Sequence, residues 1–455
     1  MLRVDFVIAV ALLAMLAGCK SVPKTSVIDA SAISANSKFV QTVESSPPRR
    51  TSPAMHESQP DEPLTLADLE CIAFQNNPAL ATAAAQMEAA RGRQIQSRLF
   101  PNPVAGYHGT EIGNRGTSGQ QGGFVSQRFV TGGKLRLDHA IAGKEVDEAS
   151  LLLEAQHRRV LSDVRVRFYE ALVAQRQYDL TEDLARIGDE MVQATRTLLR
   201  GRLATENDLL QAQIKADETH ILFENARNES METWRRLAAV AGVPTMQIGP
   251  LVGAVDSELP KFEWDRCYQR VVDNNPELHA ARTRVERASI VLRRAKRERI
   301  PNVDLSVSVR HHNITDSDVA NAQLGIPIPI FDRNQGNIRA AEAQWVAACN
   351  NVKRLELDLQ DRLAVAFRRY SNARQQVERY SQSMVPRAKR SLELVSDGYE
   401  KGQVKYVTLL IAQQTNLQVN LAYLDSLRMF WSSATAIEGQ LLTGSLAANR
   451  ARNSF

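Results

Sequence analysis

Residues able to do chemistry are few in this 455-residue chain, and their spacing does not favour it. His311-His312 is the one histidine doublet. Neighbours on an extended strand project to opposite faces, so the two cannot chelate one ion together, and they read as rim residues of a sheet. There is no nucleophile elbow, P-loop or His-Glu-x-x-His. Arg293-Arg294 and Arg297 read as a solvated helix face. No cofactor, metal site or catalytic residue is expected. The strongest candidates for a functional site are two short turns, Arg200-Gly201-Arg202 and Lys401-Gly402-Gln403. Each follows a long helical pattern, where a glycine would supply left-handed backbone.

The elements that must position those turns begin after an export segment. Arg3 precedes an apolar run from Phe6 to Leu16 that is too short to span a bilayer, so residues 1–18 read as a signal peptide. The run ends Leu16-Ala17-Gly18-Cys19, which resembles a lipoprotein lipobox with Cys19 as the lipidated first residue of the mature chain; the bland alternative is an ordinary secretory peptide. Lys20, rather than Asp, after Cys19 implies sorting to the outer membrane. Residues 19–63 are rich in Ser, Pro and Thr and read as a tether. Cys71, Cys267 and Cys349 have no metal-ligand spacing; Cys71 and Cys267 are expected to pack on helices. With 56 basic and 51 acidic residues the net charge of +5 gives no case for a nucleic-acid partner.

The body is duplicated. Asn76-Asn77-Pro78 recurs as Asn274-Asn275-Pro276, Phe100-Pro101-Asn102 as Ile300-Pro301-Asn302, Ala212-Gln213 as Ala412-Gln413, and Trp234 with Gly242 as Trp431 with Gly439. Ordered matches at nearly one offset mark two structural repeats, 64–250 and 263–445, joined by a linker, 251–262, and followed by a tail, 446–455. Each repeat reads as short helix, Asn-Asn-Pro joint, helix, two strands, one very long helix, glycine turn and returning helix. Asn can cap the helix that Pro opens at its first position.

Strand period is clearest in the second repeat, where Val303, Leu305, Val307 and Val309 alternate with polar residues, and where Ala322 to Ile330 alternates again. In the first repeat, Val104 to Thr110 and Phe124 to Val130 are extended mainly by analogy. The long helices carry 4-3-4 apolar steps through Leu180, Leu184, Ile187, Met191, Ala194 and Leu198, and through Ala366, Tyr370, Ala373, Val377, Tyr380 and Met384, which predicts packing seams. Pro386 should kink the second rather than end it. Four strands are too few to close a membrane barrel, so other copies must supply the rest.

These features together resemble the TolC-like outer-membrane factors of Gram-negative efflux and secretion systems. The carriers are the doubled Asn-Asn-Pro, the paired strands and long helices, and the turns followed by Leu209-Leu210-Gln211-Ala212-Gln213 or Leu409-Leu410-Ile411-Ala412-Gln413. Phe129 to Lys134 and Ile328 to Gly336 look most like the cobalt-zinc-cadmium resistance branch. The resemblance implies a mostly α fold with a membrane β-barrel, in which a homotrimer closes twelve strands and its helical hairpins form a tunnel. It also implies a periplasmic adaptor docked at the turns, an inner-membrane pump of RND type, contact with outer-membrane lipid, and no enzymatic activity. Heavy-metal cations are the expected cargo. Drug export, type I protein secretion and a non-porous lipid-anchored tether are the alternatives. Asp208 fits the family after the first turn, whereas Thr408 departs from it in the second.

Overall fold

A computed structural model describes residues 63–116, 118–202, 204–256, 259–401 and 403–446. Cys19 and Gly402 lie outside the described residues. The first repeat runs α1 (Leu66–Asn76), α2 (Pro78–Ser97), β1 (Val104–Thr110), β2 (Gln120–Phe129), α3 (Lys134–Arg200) and α4 (Glu206–Ala241). The second runs α5 (Trp264–Asn274), α6 (Pro276–Arg297), β3 (Val303–His312), β4 (Ser317–Gly325), α7 (Gln335–Arg379), a π-helical turn (Tyr380–Met384), α8 (Val385–Glu400) and α9 (Tyr406–Glu438). No described helix is long and apolar enough to cross a membrane.

The Asn-Asn-Pro joints do what their residue types suggest and also something more. Asn77 Oδ1 accepts from Ala79 N at 2.9 Å, and Asn275 Oδ1 accepts from Glu277 N at 2.9 Å and Leu278 N at 3.2 Å, so each caps a helix whose first residue is proline. The other end of each amide reaches across the fold. Asn77 Nδ2 donates to the Val240 carbonyl at 2.7 Å, and Asn275 Nδ2 to the Gln440 carbonyl at 3.1 Å. Each joint is thus clasped to the end of its own returning helix, and both asparagines are buried. Gly242 is required at the first clasp: its φ is +79°, and a Cβ there would lie 2.5 Å from the Asn76 carbonyl oxygen. In the second repeat the left-handed positions are instead Gln440 and Leu441, beyond Gly439. The two tryptophans of the duplication have matching roles, with Trp234 Nε1 donating to the Met246 carbonyl and Trp431 Nε1 to the Val255 carbonyl. Around them lies the core, in which Tyr169 stacks on Trp431 at 4.1 Å and Tyr370 donates to the Pro260 carbonyl.

The α3 seam differs from the expected one. Thr181, Ala185 and Thr195 are buried, one residue further along than Leu180, Leu184 and Ala194, while Ile187 is exposed. The reason is size. A Cβ on Gly188 would come within 2.8 Å of Thr219 Oγ1 and 3.2 Å of Ala216 Cα, so the closest α3–α4 approach admits only small side chains and pushes the bulkier stripe to the flank. The second expected seam holds in its middle, with Tyr370, Ala373 and Val377 buried and Ala366 and Tyr380 half-buried, but not at its end, where Met384 is exposed. Helical backbone continues through Pro386 rather than ending there, with a π-helical turn just before it.

Lys134 joins the repeats where helices meet strands. It is buried, and its Nζ donates to Asn302 Oδ1 at 2.8 Å and pairs with Glu298 at 3.3 Å. Arg294 pairs with Asp138 at 2.8 Å and with Glu298, so this member of the basic run is a tie between α6 and α3 rather than a solvated residue; Arg293 and Arg297 are exposed as expected. Burial alone would raise the Glu298 carboxyl, but the Arg294 hydrogen bond and charge, with Lys134, hold it below its usual value. Cys267 is buried on α5, whereas Cys71, expected to pack, lies exposed on α1; both and Cys349 are free thiols.

Replacing Asn275 by Ala should remove a cap and orphan the buried Gln440 carbonyl, lowering stability by about 2–3 kcal/mol. Asn275→Ser should recover only the capping part. Thermal unfolding of the detergent-solubilised protein checks both, and equal melting temperatures for wild type and Asn275→Ala would show the clasp to be energetically idle.

Candidate functional site: hairpin tips and polar sheet face

The two hairpin tips are built differently. In the first, Gly201 caps α3 with φ −80°, and the left-handed residue is Arg202, at φ 58°. The expected positive φ at Gly201 is therefore corrected: the helix continues one residue further, since Gly201 N still donates to the Thr197 carbonyl at 3.1 Å, and the chain reverses at Arg202. Thr205 then starts α4 with a capping box. Thr205 Oγ1 accepts from Asp208 N at 3.2 Å, and Asp208 Oδ2 accepts from Thr205 N at 2.9 Å. Those bonds from the Thr205 backbone and hydroxyl hold the Asp208 carboxyl below its usual value.

The second tip has no such box. Lys405 stands at the cap position without a side-chain bond, and Thr408 replaces the acidic partner. Lys401 N donates to the Asp397 carbonyl at 3.2 Å, Gln403 N donates to the Gly398 carbonyl at 2.8 Å, and the Lys401 ammonium pairs with Asp397 at the surface. Arg200, Gly201, Arg202, Lys401 and Gln403 are all exposed. Close behind the tip, Tyr399 and Tyr406 lie 6.0 Å apart between ring centres. Burial raises both phenols; the Asp208 charge of the first hairpin raises Tyr399 further, and Tyr399 and then Asp208 raise Tyr406. Sequence reading missed this electrostatic coupling between the hairpins. The only trace was a tyrosine on each flank of the second turn.

The four strands form one antiparallel sheet in the order β1-β2-β3-β4. β4 begins and ends about five residues earlier than the expected Ala322–Ile330 run, and β2 starts at Gln120 rather than Phe124. Pro327 and Pro329 carry no N–H to donate to a ladder, so residues 326–330 join no strand, and Ile330 N donates back to the Ile328 carbonyl at 2.9 Å. Directly paired residues share a face. One face carries Tyr107, Val125, Phe129, Leu305, Val307 and Leu324, all exposed in the single chain. The other carries mainly Gly, Ser, Gln, Asn and charged residues, with Arg128 paired to Asp304 at 2.8 Å near the helices. His311 lies on the apolar side at the far end, 3.0 Å from Asp318, while His312 lies on the polar side and accepts from Thr315 N. The doublet is split between faces as expected, and among the described residues no acidic, histidine or cysteine cluster could hold a metal ion.

This pairing of a four-stranded amphipathic sheet with two helical hairpins meets its counterpart in known proteins. The outer membrane efflux protein family matches residues 72–243 and 267–436. The chain belongs to that family. It is 25% identical to the cobalt-zinc-cadmium resistance protein CzcC of Cupriavidus metallidurans over 83% of this chain and 89% of that one. It is 26% identical to the nickel-cobalt-cadmium resistance protein NccC of Alcaligenes xylosoxydans xylosoxydans over 64% and 67%. Among solved structures, the outer membrane protein VceC of Vibrio cholerae superposes with a TM-score of 0.69 at 18% identity, covering 83% of this chain and 96% of that one, which shows the shared fold. The protein is thus an outer-membrane efflux channel component, with the TolC-like architecture of duplicated hairpins and strands.

The corrected turn changes what substitutions should do. Gly201→Ala should be tolerated, because φ −80° suits any residue, whereas Arg202→Val should cost about 1–2 kcal/mol by placing a β-branched residue at positive φ. Thr205→Ala should weaken the start of α4 by about 1 kcal/mol. Because the folded Asp208 pKa is depressed, its contribution is present above the unfolded value and lost as pH falls through the folded one. Amide exchange in the first turn of α4 should accelerate in Arg202→Val and Thr205→Ala and stay unchanged in Gly201→Ala; accelerated exchange in Gly201→Ala would contradict the turn geometry.

Proposed function

We propose that three copies of this chain close a twelve-stranded barrel in the outer membrane and form a passive exit duct for heavy-metal cations, fed by a periplasmic adaptor and an inner-membrane pump of RND type. The observation that carries the reading is the sheet. Among the described residues β1 and β4 each leave one edge without a partner, on a sheet whose one face is exposed and apolar. Lipid offers no hydrogen bonds to such edges, so they require strands from neighbouring copies, and the apolar face then meets hydrocarbon. Each repeat supplies two strands and one hairpin, and three chains would present six hairpin tips as a ring.

The metal cargo is supported by the relatives named for cobalt, zinc, cadmium and nickel resistance. Arg200, Gly201, Arg202, Lys401, Gly402 and Gln403 are proposed as the adaptor-docking tips, on the strength of the exposure of Arg200, Gly201, Arg202, Lys401 and Gln403 at the hairpin ends. Lipidation of Cys19, from the lipobox, would add an anchor to the barrel. The duct needs no chemistry of its own, since the pump supplies the energy.

Native mass spectrometry in detergent should give a trimer; a stable monomer with its sheet intact would remove the barrel. Deleting the gene should sensitise cells to cobalt, zinc or cadmium, with resistance restored by wild type. Resistance unaltered by deletion, beside a lost drug or protein export, would replace the cargo. Mass analysis of the mature N-terminus decides the fate of Cys19.

A further inference from the structure

Strands and helices join at a clasp in the middle of the chain, and the duplication sets out the parts of a second clasp on its two free flanks. In the clasp the loop from β2 to α3 meets the loop from α6 to β3. Thr131 N donates to Asn302 Oδ1 at 3.4 Å and its hydroxyl to the Pro301 carbonyl, while Lys134 Nζ reaches Asn302 Oδ1 at 2.8 Å and Glu298 at 3.3 Å. Lys134 is buried there, and Pro301 and Asn302 are half-buried.

α3 packs against α2 and α6, and α6 packs in turn against α7, so α2 and α7 are the outer helices at this level. Each is joined by a short loop to an edge strand, β1 or β4. Arg98 caps the end of α2 as Glu298 caps the end of α6, and Asn102 follows it in Phe100-Pro101-Asn102 as Asn302 does in Ile300-Pro301-Asn302. On the other flank Asn334 opens α7 at φ 59°, as Gly133 opens α3 at φ 68°. Counted from those caps, Asp332 stands where Thr131 does and Gln335 where Lys134 does. Arg98, Asn102, Asp332 and Gln335 are all exposed.

The surrounding charges and bonds leave Arg98 and Asp332 to be matched. Arg91 and Arg93, on the same helix as Arg98, pair with Glu88 and Glu145. Asp332 Oδ1 accepts from Asn334 N at 2.9 Å, and among the described residues no basic group pairs with its carboxylate. Arg333 and Arg299 lie beside it, but Arg333 Nε donates to the Ile330 carbonyl and Arg299 Nε to the Arg333 carbonyl. Gln335 is folded back on its own loop, accepting from Arg333 N and donating to the Phe331 carbonyl. The Pro101 carbonyl accepts from Gln127 Nε2 at 2.9 Å, so position 332 needs no hydroxyl of the kind Thr131 supplies.

We infer that Arg98 of one copy pairs with Asp332 of the next, with Asn102 accepting from the Asp332 backbone N–H, so that a second copy of this chain closes the outer junction as the chain closes its own. The inference rests on the proposed trimer, in which β1 and β4 of neighbouring copies meet. The polarity is reversed between the two clasps. Inside the chain the loop before the long helix brings the cation and the helix end the anion; between copies the loop brings the anion and the helix end the cation. An exchange of partners would set Lys134 against Arg98 or Asp332 against Glu298, like charge against like, so each loop is steered to its own junction.

The test is trimer lifetime and cross-linking of the full-length protein in detergent. Arg98→Asp and Asp332→Arg should each shorten the lifetime by about fivefold or more, and the double exchange should restore it. Asp332→Asn keeps the acceptor for Asn334 N and removes only the charge, so a shorter lifetime in that variant reports the pair rather than a disturbed helix start. With Cys71 and Cys349 replaced by Ser, Asn102→Cys and Gln335→Cys in one chain should be joined between copies by a short bis-maleimide, and neither change alone should suffice. Charge reversals that weaken the trimer without restoration in the double exchange overturn the pair. Wild-type trimers with no cross-link at 102 and 335 and no response to the reversals overturn the clasp and leave the trimer standing. Wild-type monomers with the sheet intact overturn the trimer, and the clasp with it.

Discussion

Every interrupted helix in this fold must pass its loose backbone groups to another partner, and the joints at Asn77 and Asn275 do so with a single side chain. One amide oxygen closes the start of a helix, while the amide nitrogen closes a carbonyl at the end of another. Because those carbonyls belong to the returning helices, the joint fixes where an excursion of more than 160 residues comes back to its start. Buried polar groups are costly when unpaired, so this position tolerates little else. Without the clasp, the strands at one end of the helices and the turns at the other would have no common reference.

The same economy governs the long helices. α3 and α4 come together on Thr, Ala and Gly, leaving bulkier Leu and Ile partly exposed on the flank. Close contact gains dispersion from many atoms, and larger residues would force the axes apart. The cross-repeat ties at the strand junction, Lys134 with Glu298 and Asn302, and Arg294 with Asp138, then hold the two halves in register just where the sheet begins.

Much of the architecture was legible because it rests on local rules. Proline after asparagine announces a capped helix start, alternating valines announce a strand, and duplication doubles the weight of each signal. Misreadings arose where a local pattern had two solutions. Leu180, Leu184 and Ile187 make a good heptad stripe, yet the stripe beside it packs closer. Residues 326–330 alternate like a strand, yet two prolines deny them a ladder. Gly201 is the expected left-handed residue, yet one more helical hydrogen bond moved the reversal to Arg202.

The sequence by itself determined the repeat, the kinds of element, their order and their approximate lengths, since these depend on period, caps and breakers within short windows. Only the tertiary structure decided which faces meet. It let the Asp208 charge of one hairpin act on Tyr399 and Tyr406 of the other, and it laid Arg310 across Gly122 toward Thr110. Such meetings join residues some 190 to 200 positions apart, where no periodicity reaches, and they are set by register and close packing summed over the whole fold.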